Sequence, residues 1–501
     1  MAKTLNLEKI KDLRKHLSIP FNKKIILCHG VFDAIHAGHI DYFNSSKKLG
    51  DILVVSLTED NFVNKGFDRP FFKINERIKV LNSIKSIDFT VISKSPSSIK
   101  VIKKIKPNFY CKGPDYKNKK KDLTKKIFLE ENEVKKHGGK LVFTKDFTYS
   151  SSKLINNKLV SFNSNQLNAL RQLKKKYNPN IIFQYFKKLK KNNVNIYGES
   201  FFDKYTFCEC LGKSGKEPML VVRKNYSKIF PGGSLAPSIN CSKIFNKVNL
   251  FSNFSNIKKE NKINLPKNIF TKNLTDRSKL FVKERFIEKI SNNKLLGVYE
   301  NEDLNITKYI HKRIVDTLKK KLKQKNTHLV FDYGHGLISK KITSVFKNKK
   351  IYLNTQINSS NIGLHTIKKY QNIFCAIINE SELRFEFRSK DENIKILLKK
   401  LSNLLNIEIC VVTRGKEGSI LYNKKKNKFV DFPAFDNRPL DKIGSGDTFL
   451  TYFSSMHSVS KQDDLSLFVA TIAASQNIKM FANERPIDLE SLQKTIETYL
   501  K

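Results

Sequence analysis

Asp441-Lys442-Ile443-Gly444-Ser445-Gly446-Asp447-Thr448-Phe449 sets two glycines and a serine directly before an acid, with apolar residues after it that suit a helix. Consecutive backbone N–H groups at such a helix start converge on one point, where the helix dipole favours negative charge. The stretch therefore predicts an anion hole. Asp447 at its lip would take a proton from a hydroxyl while the hole holds the charge that develops on a phosphoryl group in transit. Read alone, the same residues also describe a Gly-Ser turn whose acid caps a helix. The segments upstream decide between the two.

A chain of 501 residues exceeds one ordinary core and predicts two or three domains, and a hydrophobic content of 40% is enough to bury them. The formal net charge of +48 taken at face value suits nucleic acid or an anionic membrane. The lysines, however, are spread along the whole chain among Asn and Ile and do not gather into a patch. No nucleic-acid partner is expected, and a steep salt dependence of DNA retention would revive one. A positive field also suits phosphorylated substrates. The seven cysteines form no CxxC pair and are odd in number, which fits a reduced cytoplasm and argues against a metal cluster. The N-terminal stretch through Ile19 reads as a short amphipathic helix without the apolar core of a signal peptide. No run approaches the length of a membrane span, so a soluble cytoplasmic protein with no membrane partner is expected.

Lys24-Ile25-Ile26-Leu27-Cys28-His29-Gly30 is an apolar run ending in glycine, as a buried parallel strand would. Val31-Phe32-Asp33-Ala34-Ile35-His36-Ala37-Gly38-His39-Ile40 follows, then a helical pattern through Phe43 and Leu49, then a second strand over 51–57. Strand, loop, helix, strand opens a doubly wound α/β sheet, whose ligands sit beyond the carboxyl ends of the strands. Gly38 lets a phosphate approach the backbone, and His36 and His39 offer N–H donors to phosphate oxygens. Metal ligation is the weaker reading, because no acidic or cysteine partner stands at ligand spacing.

Over about residues 22–158 the sequence resembles the HxGH nucleotidyltransferases, the cytidylyltransferase-like family with a Rossmann-like fold, in the branch that acts on sugar phosphates. The resemblance rests on the 30–43 stretch, Arg69-Pro70, Glu76-Arg77-Ile78-Lys79-Val80-Leu81, Lys112-Gly113-Pro114-Asp115-Tyr116 and Tyr149-Ser150-Ser151-Ser152-Lys153-Leu154-Ile155. It implies attack of a substrate phosphate on the α-phosphorus of a nucleoside triphosphate, with release of pyrophosphate and no protein nucleophile. Gly30, Phe32, Asp33 and Gly38 would then shape the nucleotide loop, and His36 and His39 would stabilise charge on the triphosphate. Arg77, Lys112 and Gly113 would hold phosphates, Asp115 would read the substrate or base, and Ser150, Ser151 and Ser152 would open a phosphate-binding helix. Magnesium is implied, with water and phosphate oxygens as most of its ligands.

From Val160 to Asn192 apolar residues fall at helical spacing, broken at 163–165 and 177–180, and predict two connecting helices. Val194-Asn195-Ile196-Tyr197-Gly198-Glu199 then begins a fresh strand, followed by Asp203, an acceptor suited to sugar hydroxyls. Pro231-Gly232-Gly233-Ser234, Val330-Phe331-Asp332-Tyr333-Gly334-His335-Gly336, Asn379-Glu380-Ser381-Glu382 and Thr413-Arg414-Gly415-Lys416-Glu417-Gly418 come next, and a Walker loop GxxxxGK(S/T) is absent.

In this order, and with the 441–449 stretch, these segments resemble the PfkB, ribokinase-like sugar kinases over about 191–501. The resemblance implies an α/β/α domain in which Asp447 is the base and Gly444, Ser445 and Gly446 form the anion hole. Asn379 and Glu382 would organise magnesium through water, and Thr413 and Gly415 would lie beside the nucleotide. Asp203, Gly232, Gly233 and Asp332 would contact the sugar. The family follows its paired glycines with an asparagine, GGxxN, where this chain has Ala236, so the sugar pocket is expected to be altered.

Together the halves, an expected 1–158 nucleotidyltransferase domain, a 159–190 helical linker and a 191–501 kinase domain, resemble the bifunctional heptose kinase/adenylyltransferases in reversed order. The implied activities are ATP-dependent phosphorylation of a sugar or sugar phosphate, with heptose 7-phosphate as the leading substrate, and nucleotidyl transfer to a sugar 1-phosphate. ADP-heptose is the expected product. CTP at the N-terminal site, with another polyol or sugar phosphate and a kinase of different or lost sugar specificity, is the alternative. The implied partners are small molecules, and dimers are common among kinases of this fold.

Overall fold

The computed structural model describes residues 2–63, 69–95, 97–113, 126–144, 162–254, 264–276, 280–300, 304, 306–436 and 439–500. The chain divides into two compact units, one of Met1–Ser164 with Glu490–Lys501 and one of Asn165–Leu489.

The first unit is built on a parallel sheet of β1 (Lys3–Leu5), β2 (Ile25–Gly30), β3 (Ile52–Thr58), β4 (Phe89–Ser93), β5 (Phe109–Lys112) and β6 (Lys140–Phe143), in the order β1-β4-β3-β2-β5-β6. Along β2, Ile25 and Leu27 enter one core while Ile26 and Cys28 enter the other. Burial on both faces is why a parallel strand reads as an unbroken apolar run. The chain winds to one side of β2 through β3 and β4, then to the other through β5 and β6. The reversal opens a crevice beyond the carboxyl ends of β2 and β5, where such sheets take their ligands.

The N-terminal segment corrects the expected amphipathic helix. Lys3–Leu5 pairs parallel to β4, Thr4 Oγ1 meets Thr90 Oγ1 at 2.9 Å, and only Leu13–His16 forms an α-helix, capped by Asp12. Leu5, Leu7, Ile10 and Leu13 all enter the same core. The open edge of β4 and that core together override the helical spacing.

The second unit holds two sheets. Nine strands, β7 (Asn193–Gly198), β10 (Lys247–Ser252), β11 (Ile269–Asn273), β14 (Thr327–Asp332), β15 (Ile351–Thr355), β16 (Cys375–Asn379), β17 (Ile409–Thr413), β18 (Ser419–Asn423) and β19 (Lys428–Phe432), run in the order β11-β10-β7-β14-β15-β16-β17-β18-β19. They are parallel as far as β17, after which β18 and β19 turn antiparallel. One face carries the helices Lys308–Lys321, Glu380–Phe387 and Ile394–Leu405, whose Ile314, Leu318, Leu383, Leu397 and Leu401 fill a shared core with Val330 and Leu353. Across β14, β15 and β16 lies the helix Ser445–Ser460, buried on nearly all sides beside the equally buried Asp463–Asn477. The result is three layers, α/β/α, as expected.

The second sheet, β8 (Ser200–Lys213), β9 (Leu220–Gly233), β12 (Val282–Glu288) and β13 (Lys294–Tyr299) in the order β13-β12-β8-β9, is a feature that sequence reading did not anticipate. Its long hairpin is apolar only near its root, where Phe201, Tyr205, Phe207 and Phe230 are buried, and polar or exposed further out. The two connecting helices form at Ser164–Lys176 and Pro179–Leu189. Asn178 caps the second by accepting from Asn180 N–H, with proline in its first turn, so the 177–180 break is a helix start. Tyr177 Oη donates to Asp464 at 2.7 Å, fixing the pair within the second unit.

Candidate active sites

In the first unit, β2 hands its end to a loop that turns tightly. Phe32 takes φ +48°, and its ring covers the space that a Cβ on Gly30 would need. Phe32 also meets the His39 ring edge-on at 5.6 Å. His36 is the extended N-cap of the helix Ala37–Lys47, Gly38 lies in its first turn, and the rings of His36 and His39 stand 4.0 Å apart. β5 is the neighbour of β2, with Cys28 beside Cys111, so Lys112 and Gly113 leave their strand next to this loop. Lys112 Nζ pairs with Glu130 at 3.3 Å and lies 5.0 Å over the Tyr110 ring. Burial raises the Glu130 carboxyl, but the Lys112 ammonium, the Ser98 hydroxyl and His29 together outweigh it and hold Glu130 below its ordinary value.

Asp33, expected in the nucleotide loop, and Arg77, expected at phosphates, are turned inward. Asp33 pairs with Arg69 at 2.5 Å and accepts the N–H groups of Phe71 and Phe72, pinning the 69–72 segment to the loop. The Arg77 guanidinium is fully buried and donates to Val31 O at 2.6 Å, Thr58 O at 2.9 Å and Asp60 at 2.6 Å. It therefore braces the motif loop against the end of β3. Asp115, Ser150, Ser151 and Ser152 lie outside the described residues.

In the second unit a cavity of about 800 Å³ opens beyond the carboxyl ends of β14 to β17. Its wall takes Tyr333, Gln356, Asn379 and Thr413 from the four strand ends, and Gly444, Ser445, Gly446 and Asp447 from the start of the 445–460 helix. The first backbone N–H groups of that helix have no intrahelical partner, and that of Ser445 donates to Lys442 O at the long distance of 3.4 Å, so the geometry is one an anion can fill. Asp447 is 7% exposed and accepts from Gln356 Nε2 at 2.8 Å. Burial pushes its carboxyl up to about 7; the negative charges of Asp203 and Glu382 add to this, while Tyr333 and Gln356 partly oppose it. A carboxylate poised near neutrality is suited to general-base work.

Asn379 and Glu382 form a reciprocal cap at the start of the Glu380–Phe387 helix: Asn379 Oδ1 accepts from Glu382 N–H at 2.8 Å, and Glu382 accepts from Asn379 N–H at 2.9 Å. Burial raises the Glu382 carboxyl to about 7. Both side chains line the cavity, and among the described residues no group of three metal-ligating side chains gathers there. One amide oxygen and one carboxylate fit a magnesium ion held chiefly by triphosphate and water, not an all-protein cage. Thr413 ends β17, and Gly415 follows at φ +54°.

Of the residues expected at the sugar, Asp203 and Gly233 line the cavity, and Asp203 pairs with Arg285 of β12. Gly232 gives room to the Phe201 ring and the Asp203 carboxylate. Asp332 is not brought to the cavity wall: it accepts from Tyr370 Oη and pairs with Lys369 Nζ, both at 2.6 Å, in the interior. Glu199, beside it, accepts the N–H groups of Tyr333 and Leu337 and so shapes the loop after β14. Ala236 is buried and off the wall. Sequence reasoning missed Lys283, Arg285, Tyr299, Tyr333 and Gln356, which also line the cavity. The first two are hidden among the 94 Lys and Arg of the chain, and Gln356 belongs to no motif.

Among the described residues, no helix is long and apolar enough to cross a membrane. Residues 27–157 match the family model described as cytidylyltransferase-like, and residues 332–482 match that of the pfkB family carbohydrate kinases. Curated relatives include the bifunctional protein HldE of Campylobacter concisus, 38% identical over 128 residues, which are 25% of this chain and 27% of that protein. Another is HldE of Desulfatibacillum aliphaticivorans, 33% identical over 153 residues, 30% of each. The chain thus spans under a third of the length of these relatives. Among solved structures, a ribokinase from Thermotoga maritima is 16% identical, covering 61% of this chain and 99% of its own, with a TM-score of 0.47. The chain therefore carries a cytidylyltransferase-like domain followed by a pfkB family carbohydrate kinase domain.

Proposed function

We propose that this chain is a bifunctional transferase that activates a sugar in two separate steps: it phosphorylates heptose 7-phosphate with ATP to the 1,7-bisphosphate, and, after a separate phosphatase reaction has removed the 7-phosphate, it condenses the sugar 1-phosphate with a second ATP to give ADP-heptose and pyrophosphate. Residues 1–158 are the nucleotidyltransferase, 159–190 the linker and 191–501 the kinase. The observation that carries the reading is Asp447: a carboxyl pushed up to about 7 on the rim of a helix-start anion hole, in the wall of a cavity of about 800 Å³.

In the first step Asp447 takes the proton of the attacking sugar hydroxyl while the N–H groups at Gly444, Ser445 and Gly446 hold the charge of the moving phosphoryl group. Thr413 and Gly415 lie beside the nucleotide, and Asn379 and Glu382 hold water around magnesium, which neutralises charge on the triphosphate. Asp203 and Gly233 take the sugar. Lys283 and Arg285 on the same wall support a substrate that already carries a phosphate. In the second step His36 and His39 steady the triphosphate, with Gly30, Phe32 and Gly38 shaping the loop and Lys112 and Gly113 beside it. The step needs a phosphate on C1 as its nucleophile, so phosphorylation at that position must come first. The seven unbridged cysteines support a cytoplasmic setting.

Two incubations with magnesium, ATP with heptose 7-phosphate and ATP or CTP with heptose 1-phosphate, each followed by mass identification of the product, test the reading. Heptose 1,7-bisphosphate is expected from the first and ADP-heptose from the second; no added phosphate in the first, or a CDP-linked product or no nucleotide sugar in the second, contradicts it.

A further inference from the structure

Gln356 stands one residue past β15 and donates Nε2–H to Asp447 Oδ1 at 2.8 Å, across a sequence separation of 91. Its backbone is fixed on both sides. Its own N–H donates to Asp332 O at 3.0 Å, and the next N–H, of Ile357, donates to Glu382 Oε1 at 3.1 Å. Glu382 is itself locked by its reciprocal cap with Asn379. The carboxamide thus reaches Asp447 from a strand end anchored to the end of β14 and to the first turn of the 380–387 helix, an arrangement that fixes its direction before any ligand arrives.

The ionisable groups that act most strongly on Asp447 are acids and a phenol, Tyr333 from the loop after β14, Asp203 from β8 and Glu382 from the 380–387 helix, while Arg414, Lys416 and Lys442 stand elsewhere on the same cavity wall. The cavity's cations on β12 are engaged with other groups, Arg285 with Asp203 and Lys283 with His335. A neutral donor differs from a cation at this position. An ion pair would hold the carboxylate ionised and weaken it as a base, whereas a carboxamide orients it without cancelling its charge. An N–H on Oδ1 also makes that oxygen the weaker acceptor, so Oδ2 is the one left for the proton.

We infer that Gln356 is a positioning residue for phosphoryl transfer, fixing the carboxylate plane of Asp447 and directing the proton of the attacking hydroxyl to Oδ2. This rests on the kinase reading above. In the step, the sugar oxygen bonds to the γ-phosphorus of ATP and the bridging P–O bond to the β-phosphate breaks. Its electron pair leaves on ADP, and the hydroxyl proton passes to Asp447.

Two substitutions of opposite sign test the inference in the full chain. Gln356→Leu removes the donor at similar size, and Gln356→Lys replaces it with a cation. Carbon NMR of protein carrying labelled aspartate carboxyls follows Asp447, its resonance assigned by its loss in Asp447→Asn. The midpoint should rise by about one pH unit in Gln356→Leu and fall by about one or more in Gln356→Lys. The acid limb of kcat for heptose 7-phosphate should move with it. In Gln356→Leu, kcat should drop roughly tenfold while KM changes less than about threefold. Midpoints unmoved in both variants, or moved in the same direction, overturn the inference. The titration reads Asp447 without turnover, so a wild-type chain that phosphorylates no sugar would count against the kinase reading and leave the contact itself still measured.

Discussion

Asn483 Oδ1 occupies the space that a Cβ on Gly444 would need, and Gly444 is held at φ +80°, a backbone conformation that costs an L side chain about 1–2 kcal/mol. Asn483 cannot simply withdraw, because its Nδ2 donates to Pro231 O at 3.2 Å beside the paired glycines. Gly444→Ala should therefore spoil the anion hole by displacing the helix start. The expected result is a loss of roughly 10²-fold in kcat for sugar phosphorylation, with nucleotidyl transfer from a supplied sugar 1-phosphate unaffected. Rates of ADP and pyrophosphate release, measured separately, check this.

The pH dependence of the kinase step follows from Asp447. Burial, with Asp203 and Glu382, raises its carboxyl to about 7. A base works only when ionised, so kcat should be level above about pH 7 and fall about tenfold per pH unit below it. Asp203→Asn removes one negative neighbour and should carry that fall to lower pH. A rate that stays flat down to pH 5 would rule out Asp447 as the titrating base.

Lys283 Nζ lies 2.9 Å from His335 Nε2, both side chains buried. Burial and the neighbouring Lys283 charge lower His335 to about 3, so the neutral imidazole accepts from the ammonium. His335→Lys would set a second ammonium against the first. The expected outcome is a KM for heptose 7-phosphate raised about tenfold or more, with the KM for ATP unchanged, as steady-state kinetics would record.

Arg77 carries a stability prediction. Replacing its buried guanidinium with methionine leaves Val31 O, Thr58 O and Oδ1 of the partly buried Asp60 without that donor. Arg77→Met should cost the first unit about 3 kcal/mol, seen as an earlier calorimetric transition of the whole chain, while the KM for the nucleotide stays near wild type. A raised KM with an unchanged transition would instead make Arg77 a phosphate contact.

The parts legible in the sequence are those written locally. Gly30, the His36-to-His39 spacing, the Asn379 cap and the Gly444-to-Asp447 turn each follow a strand or open a helix, and the apolar runs before them predicted both α/β sheets. What was not legible depends on pairing across the chain. The direction of the Arg77 and Asp332 side chains is set by the acceptors and cations that tertiary packing brings to them. The second sheet is stabilised by Phe201, Tyr205, Phe207 and Phe230 at one end of strands that are otherwise polar. Gln356 reaches Asp447 only because β15 ends beside the helix that Asp447 begins.

Two independent phosphate chemistries on one polypeptide should come apart in phosphorus NMR of Asp447→Asn and His39→Ala, each supplied with both half-reactions. Asp447→Asn should fail to phosphorylate heptose 7-phosphate yet release pyrophosphate from ATP and sugar 1-phosphate, and His39→Ala should do the reverse. If either substitution removed both activities in a folded chain, or if Asp447→Asn kept phosphorylation within about tenfold of wild type, the account would be contradicted.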